Sequence, residues 1–435
     1  MSTLSRAETA TGKAFRRLMP WLMLFYVLSY IDRVNLGFAA LTMNADLALS
    51  ATVFGVATAA FYVTYILFEV PSNLMLVRFG AKVWIPRIMI TWGLASMATM
   101  FAAGPHSLYA LRALLGVAEA GLFPGILYYL SSWFPDSQRA RVNSTFLTAL
   151  PLALVIGAPF SGLLLEMDGL LGLKGWQWLF LLQGAPTVLV GIAAYFVLPD
   201  SPAVVSWLTD QEKEALQRQI EDENQAKRSQ KSTRVEKPSL WSMIANARVI
   251  GFGFASFCLM ATLTVLGTWT PLIVRELMGN TDRVLFVSLA AAIPPIAAVP
   301  VMLLVGRRSD RSSGHVRYTA VAMACSSAGW LICALAVSPA ARIMGLVVTA
   351  TGAFTAMTTF WATVARSLAR EQHAVGLALV ASISTMTSVV SPIVIGFLRD
   401  TTGNFAAGMW YAAGLLIIGV GLFLASARPR SDALS

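Results

Sequence analysis

Charge is scarce in this sequence. Only 12% of its 435 residues are Asp, Glu, Lys or Arg, while 57% are hydrophobic; a soluble domain carries about a quarter charged residues. The shortage excludes a water-soluble globular fold and places the chain in a bilayer. Cysteine is sparser still. Cys258, Cys325 and Cys333 all lie in apolar runs, which excludes a disulfide framework and any metal-binding spacing. The three histidines, His106, His315 and His373, fall in loops or at run ends, so a histidine proton relay is not expected. No nucleophile–base constellation, metal cluster or G-x-x-x-x-G-K-[ST] phosphate loop is present, so neither an enzyme nor ATP drive is expected, and no cofactor beyond a coupling ion.

What the chain does have is long apolar runs. Twelve reach spanning length, near 18–40, 52–77, 87–104, 108–131, 142–165, 176–198, 249–273, 284–305, 318–337, 343–365, 375–398 and 408–427. Residues 1–17 are polar and basic without a small-residue cleavage site, so the first run is expected to stay as an anchor. The net charge of +10 is unevenly spread. Twenty-five Lys and Arg fall on the side of the N-terminus, five on the other side and two within the runs. This is the positive-inside pattern, which puts both termini in the cytoplasm of a multi-pass inner-membrane protein. The basic charge is therefore an orientation signal, with no nucleic-acid partner implied.

The longest polar stretch, 199–248, carries eight basic and eight acidic residues. Thr209 followed by Glu212 fits a capping box, predicting a surface helix over 209–223. The stretch divides the chain into a cytoplasmic start at 1–17, a six-helix bundle at 18–198, the linker at 199–248, a second bundle at 249–427 and a cytoplasmic tail at 428–435. Six spans plus six outline an all-α, two-bundle transporter with its site between the halves. A weak echo between the halves agrees: Arg78-Phe79-Gly80-Ala81-Lys82 and Gly306-Arg307-Arg308-Ser309-Asp310-Arg311 are basic, Gly-containing turns after the second and eighth spans.

Within the runs, ionisable groups stand out, because a charge at bilayer depth costs roughly 2.5–3.5 kcal/mol on insertion scales. Asp32 and Arg33 are adjacent, about fourteen residues into the first span and so roughly 21 Å along its axis. Neighbours on a helix diverge by about 100°, so one is expected to face a central cavity and the other a partner helix; a structural ion pair is the alternative. Arg112 and Glu119 lie seven residues apart, on one face of the fourth span. Glu119 has no base beside it in the sequence, and burial disfavours a carboxylate's charged form, which suits a reversible proton carrier. Glu69, directly before Val70-Pro71, fits either a second proton site or a structural tie to the eleventh span. The C-terminal half has no ionisable residue inside a span and offers only neutral groups.

These residues sit in strings that resemble a known family. YIDRVNLGFAALTMNADL (30–47), FEVPSNLMLVRFGA (68–81), LRALLGVAEAGLFPG (111–125), SSWFPDSQRAR (131–141), WQWLFLLQGAP (176–186) and FWATVA (360–365) are similar to the anion:cation symporter branch of the major facilitator superfamily. Within it they look most like tartrate- and phthalate-type carboxylate transporters. The resemblance implies twelve helices in two six-helix bundles rocking about a central site, and proton-driven import of a small organic anion by a functional monomer. It assigns Asp32 and Glu119 to the coupling proton and Arg33 and Arg112 to the substrate carboxylate. It also assigns a cavity role to Tyr65 and Trp361. Ser382, Ser384 and Thr385 are further candidates for substrate contact.

The departures matter too. The family's Gly-x-x-x-Asp-Arg turn has Asn73 and Val77 in its first copy, and only the second copy keeps Asp310 and Arg311 as a state clamp. Ala381 and Thr385 stand where many relatives carry Asn, which argues against a polyhydroxylated sugar acid such as a hexonate or glucarate. A passive organic-anion uniporter is the other alternative; it would keep the arginines but not need Glu119.

Overall fold

The bilayer leaves no water to satisfy backbone N–H and C=O groups, so apolar runs of this length close their hydrogen bonds within helices. The computed structural model describes residues 3–232, 246–310, 314–368 and 373–428, and all regular elements among them are helical. The first half contains α1 (Thr3–Asp46), α2 (Ala51–Phe79), α3 (Ala81–Ala98), α4 (Pro105–Glu119), α5 (Leu122–Trp133), α6 (Asp136–Leu147), α7 (Ala149–Leu165) and α8 (Gly175–Val197). The linker forms α9 (Asp210–Ser232). The second half contains α10 (Ala247–Leu277), α11 (Val284–Asp310), α12 (His315–Leu335), α13 (Pro339–Ser367), α14 (His373–Thr385), α15 (Thr387–Thr402) and α16 (Ala406–Ala427).

Among the described residues, eleven helical stretches are long and apolar enough to cross a membrane. The remaining expected span, 87–104, is α3, which has 18 residues and then tightens into a single 3-10 turn at Thr99–Phe101. Three expected spans are each built from two helices. The fourth is broken between Glu119 and Leu122, the fifth at Thr148 and the eleventh at Met386.

The chain divides into two compact units. The first comprises Met1–Asn35, Ala60–Ile156 and Asp168–Val235, and the second comprises Leu36–Ala59, Gly157–Met167 and Glu236–Ser435. In the first unit, Phe25, Phe61, Ile85, Trp92, Ile126, Trp133 and Phe146 form one buried core. Two close approaches set its helix spacing. A Cβ on Gly116 would meet the Phe61 carbonyl oxygen and Thr64 Oγ1 at 2.2 Å, so α4 lies directly on α2. Thr64 Oγ1 secures that contact by donating to the Ala113 carbonyl at 2.8 Å.

The linker helix belongs to this unit. The predicted capping box is present: Thr209 N donates to Glu212 Oε2 at 2.9 Å, and Glu212 N donates to Thr209 Oγ1 at 3.3 Å. The helix then runs past the predicted end at 223 to Ser232. Lys13 Nζ reaches both Glu212 oxygens, at 2.7 and 2.9 Å, and Leu208 and Leu216 enter the core. Trp207 stacks on Trp133 at 5.8 Å, with the Arg17 guanidinium over its ring.

In the second unit, the loop end of α2 is held by α15. Asp400 accepts from Ala51 N at 2.9 Å and Thr52 N at 2.8 Å, capping the first turn of α2 with a carboxylate. Arg275 Nη1 donates to the Leu41 carbonyl at 2.7 Å, and Arg399 pairs with Glu276 at 3.2 Å. Trp269 is fully buried between Phe54 and Phe405, so it serves packing at this end.

Substituting Gly116 by Leu forces α4 off α2 and is expected to cost about 1–3 kcal/mol, read as a lowered melting temperature of the purified protein. A second expectation concerns Glu212. Burial raises its pKa, but the bonds from Lys13 and Thr209 outweigh this and hold it below its ordinary 4.5. Its folded pKa is thus below its unfolded one, so its contribution is complete above pH 4.5 and is lost as pH falls through the lower folded value. Limited proteolysis of α9 is expected to be slow at pH 7, to accelerate on acidification through that value, and to be fast already at pH 7 in Glu212→Gln.

Candidate functional site

Asp32, Arg33, Arg112 and Glu119 all lie in the first unit, on α1 and α4. Asp32, Arg112 and Glu119 are buried, at 2%, 2% and 0% exposure. Asp32 and Arg33 point in different directions, as adjacent helical positions must. Asp32 meets α3: its Oδ1 accepts from Asn35 Nδ2 at 2.7 Å and from the Ser96 hydroxyl, and its Oδ2 accepts from Trp92 Nε1 at 2.6 Å. Trp92 and Ser96 are four residues apart, so both aim at one point from the same face of α3.

Arg33 turns instead to α4, where its Nε donates to Glu119 Oε1 at 2.7 Å. Ser29, one turn earlier on α1, donates to the same oxygen at 2.8 Å. Glu119 therefore has a base beside it after all, supplied by a residue 86 positions away. Its second oxygen, Oε2, is buried without a hydrogen-bond partner among the described residues. The Arg33 guanidinium carbon lies 4.9 Å from the centroid of the Tyr65 ring, and Tyr26 and Tyr62 are within its electrostatic reach.

Glu119 is the last residue of α4. Ala120 leaves the helical region, and Gly121 takes a left-handed conformation with φ of 88°. A side chain there would be strained, and a Cβ would also meet Ser72 Oγ at 2.6 Å. Pro124 follows in the first turn of α5, where a missing N–H is harmless. Gly121 followed by Pro124 is the sequence signal for this break.

Arg112 is different. Its guanidinium carbon sits 4.9 Å from the centroid of the Phe61 ring, and it makes no hydrogen bond or ion pair among the described residues. Its Nε and Nη1 are buried and unpaired. Arg112 and Asp32 sense each other's charge, yet no Arg112 nitrogen comes within the 4.0 Å of a salt bridge to Asp32. A buried cation without a counter-ion is costly, and an anion is the kind of group that would relieve it.

The other candidates are dispersed. Glu69, one turn beyond Tyr65, is half-buried and within electrostatic reach of Arg33, and its carbonyl accepts from Asn73 Nδ2 at 2.8 Å. In the second unit, Trp361 is half-buried and edge-on to Phe360 at 5.8 Å. Ser384 is buried and accepts from Ser256 at 2.9 Å. Ser382 and Thr385 donate to carbonyls of their own helix, those of Ala378 and Ala381. Asp310 ends α11, and Arg311 lies outside the described residues. Sequence reasoning did not single out Ser29, Asn35, Trp92 or Ser96. Ser29 and Asn35 carried a signal, since each is one turn from a charged neighbour. Trp92 and Ser96 carried only their shared face.

Known proteins place this arrangement. The family described as Major Facilitator Superfamily matches residues 22–392. Two proteins of Agrobacterium vitis, each described as "Putative tartrate transporter", are 42% and 41% identical to the chain, covering 96% of it and 91% and 94% of their own lengths. Among solved structures, a bacterial homolog to the human lysosomal transporter Spinster shares the fold with a TM-score of 0.76 at 15% identity, covering 94% of this chain and 96% of that one. The fold is twelve helices in two bundles, that of transporters and not of enzymes. The chain belongs to the major facilitator superfamily.

Proposed function

We propose that this protein is a proton-coupled symporter that imports a small organic carboxylate across the cytoplasmic membrane by alternating access, as a monomer with both termini inside. The observation that carries this reading is Arg112, a buried guanidinium with no partner among the described residues, beside a carboxylate and an ion pair that leave it free. Arginine suits the role because its planar fork grips a carboxylate with two bonds and stays charged at any physiological pH. The names of the Agrobacterium relatives support an organic acid such as tartrate; an aromatic acid of the phthalate kind fits the same cations.

Asp32 and Glu119 carry the coupling proton. The four charges sum to zero when all are ionised, so an incoming carboxylate adds one uncompensated negative charge. A proton on Glu119, whose Oε2 is open, restores the balance and frees Arg33 to join Arg112 on the substrate. A monocarboxylate is then balanced by one proton and a dicarboxylate by two. Tyr65, beside Arg33, offers a hydroxyl to a substrate oxygen. Trp361, Ser382, Ser384 and Thr385 supply apolar and hydroxyl contacts from the other half. Glu69 stands as a reserve acid, and Asp310 and Arg311 as a clamp of one state.

The test is uptake of radiolabelled L-tartrate and phthalate into proteoliposomes under an imposed inward proton gradient. Accumulation is expected to follow the gradient. Glu119→Gln is expected to abolish accumulation while retaining counterflow; undiminished accumulation by that variant would refute the coupling and leave a uniporter. Replacing Arg112 by Ala, or even by Lys, is expected to lower substrate affinity at least tenfold, the loss of one charge-assisted bond, measured as a rise in KM.

A further inference from the structure

Two opposite charges buried near each other in a low-dielectric core attract strongly. Asp32 and Arg112 are such a pair, on α1 and α4, and they stay apart. The reason lies on α3 and at the end of the α1 turn. Every acceptor direction of the Asp32 carboxylate that the structure uses is filled by a neutral donor: Asn35 Nδ2 at 2.7 Å and Ser96 Oγ on Oδ1, and Trp92 Nε1 at 2.6 Å on Oδ2. Three uncharged donors satisfy the carboxylate without using a cation. Indole nitrogen can only donate, so Trp92 holds its oxygen in one sense, and both Trp92 and Ser96 are fully buried.

We infer that Asn35, Trp92 and Ser96 are positioning residues that hold Asp32 off Arg112 and thereby keep the Arg112 guanidinium open for the substrate carboxylate. This rests on the reading above, that Arg112 receives an organic anion. Without the cage, the carboxylate of Asp32 would swing to Arg112 and become its internal counter-ion, competing with substrate. The cage sets affinity through Asp32, without touching the ligand.

The experiment uses the full chain in lipid nanodiscs with L-tartrate and phthalate as probes. Ser96→Ala removes one donor with little change in volume, and Trp92→Phe removes the indole N–H while keeping a ring in the core. Each is expected to weaken binding about tenfold, with Ser96→Thr restoring it. In an Asp32→Asn background, Ser96→Ala is expected to have no further effect on affinity. An equal loss in that background would mean that Ser96 acts only through packing, and would overturn the inference.

A ligand-free cryo-EM structure of the Ser96→Ala/Trp92→Phe double variant provides the second arm. An Asp32 oxygen within salt-bridge distance of Arg112 is expected; a carboxylate that stays in place overturns the inference. If neither probe binds the wild type, the organic-anion reading falls for these acids, while the ligand-free structure still decides whether the cage keeps the two charges apart.

Discussion

The ion pair between Arg33 and Glu119 is the interaction on which the rest of the first unit depends. It joins α1 to α4 at the residue where α4 stops, and it is nearly dry, with Glu119's side chain 1% exposed. A pair like this adds little net stability over an apolar replacement, but removing one partner leaves a charge stranded in the core. Its presence decides the fate of the other two charges. Arg33 is committed, so Asp32 must find other donors, and it finds them on α3. Arg112 is then left with an aromatic face and no anion. One bonded pair therefore leaves, by subtraction, a buried guanidinium without a counter-ion among the described residues.

The two units divide the chemistry unequally. The first holds the membrane-embedded charges, braced by ring systems: Arg33 over Tyr65, Arg112 over Phe61, and Tyr26 packed on Phe123 and Phe146. A π face stabilises a cation without neutralising it, which suits groups that must stay available. The candidate groups of the second unit are hydroxyls and an indole. Its charged residues gather at the loop ends instead, where Asp400, Arg275, Arg399 and Glu276 tie backbone groups together. Charge is buried between helices in one unit and gathered at the loop ends in the other.

Much of this was legible in the sequence, for physical reasons that differ by feature. The runs and the four charges could be read because the bilayer makes both length and charge expensive, so neither occurs idly. The capping box at Thr209 and Glu212 could be read because it is local. Pairing could not. Glu119 looked isolated in its own stretch because its partner arrives from α1, and no spacing rule reaches across 86 positions. Asn35, Ser96 and Trp92 escaped notice because single small polar residues and tryptophans are common in spans, and only packing gives these three a common target. The end of α9 was misjudged for the opposite reason: its polar sequence after 223 shows no apolar stripe. The break at Gly121 was visible in principle, as a glycine three residues before a proline.

Fastening α9 to the first unit changes what the linker is. The segment 199–223 is docked through Lys13, Trp133, Asp136 and the core, so it does not act as slack between the halves. The described helix ends at Ser232, and the second half is entered at Asn246, the cap of α10. Fourteen residue steps separate those two points, which at 3.3–3.6 Å each span at most about 50 Å. Much of a fifty-residue loop is thus carried by one bundle, as ballast.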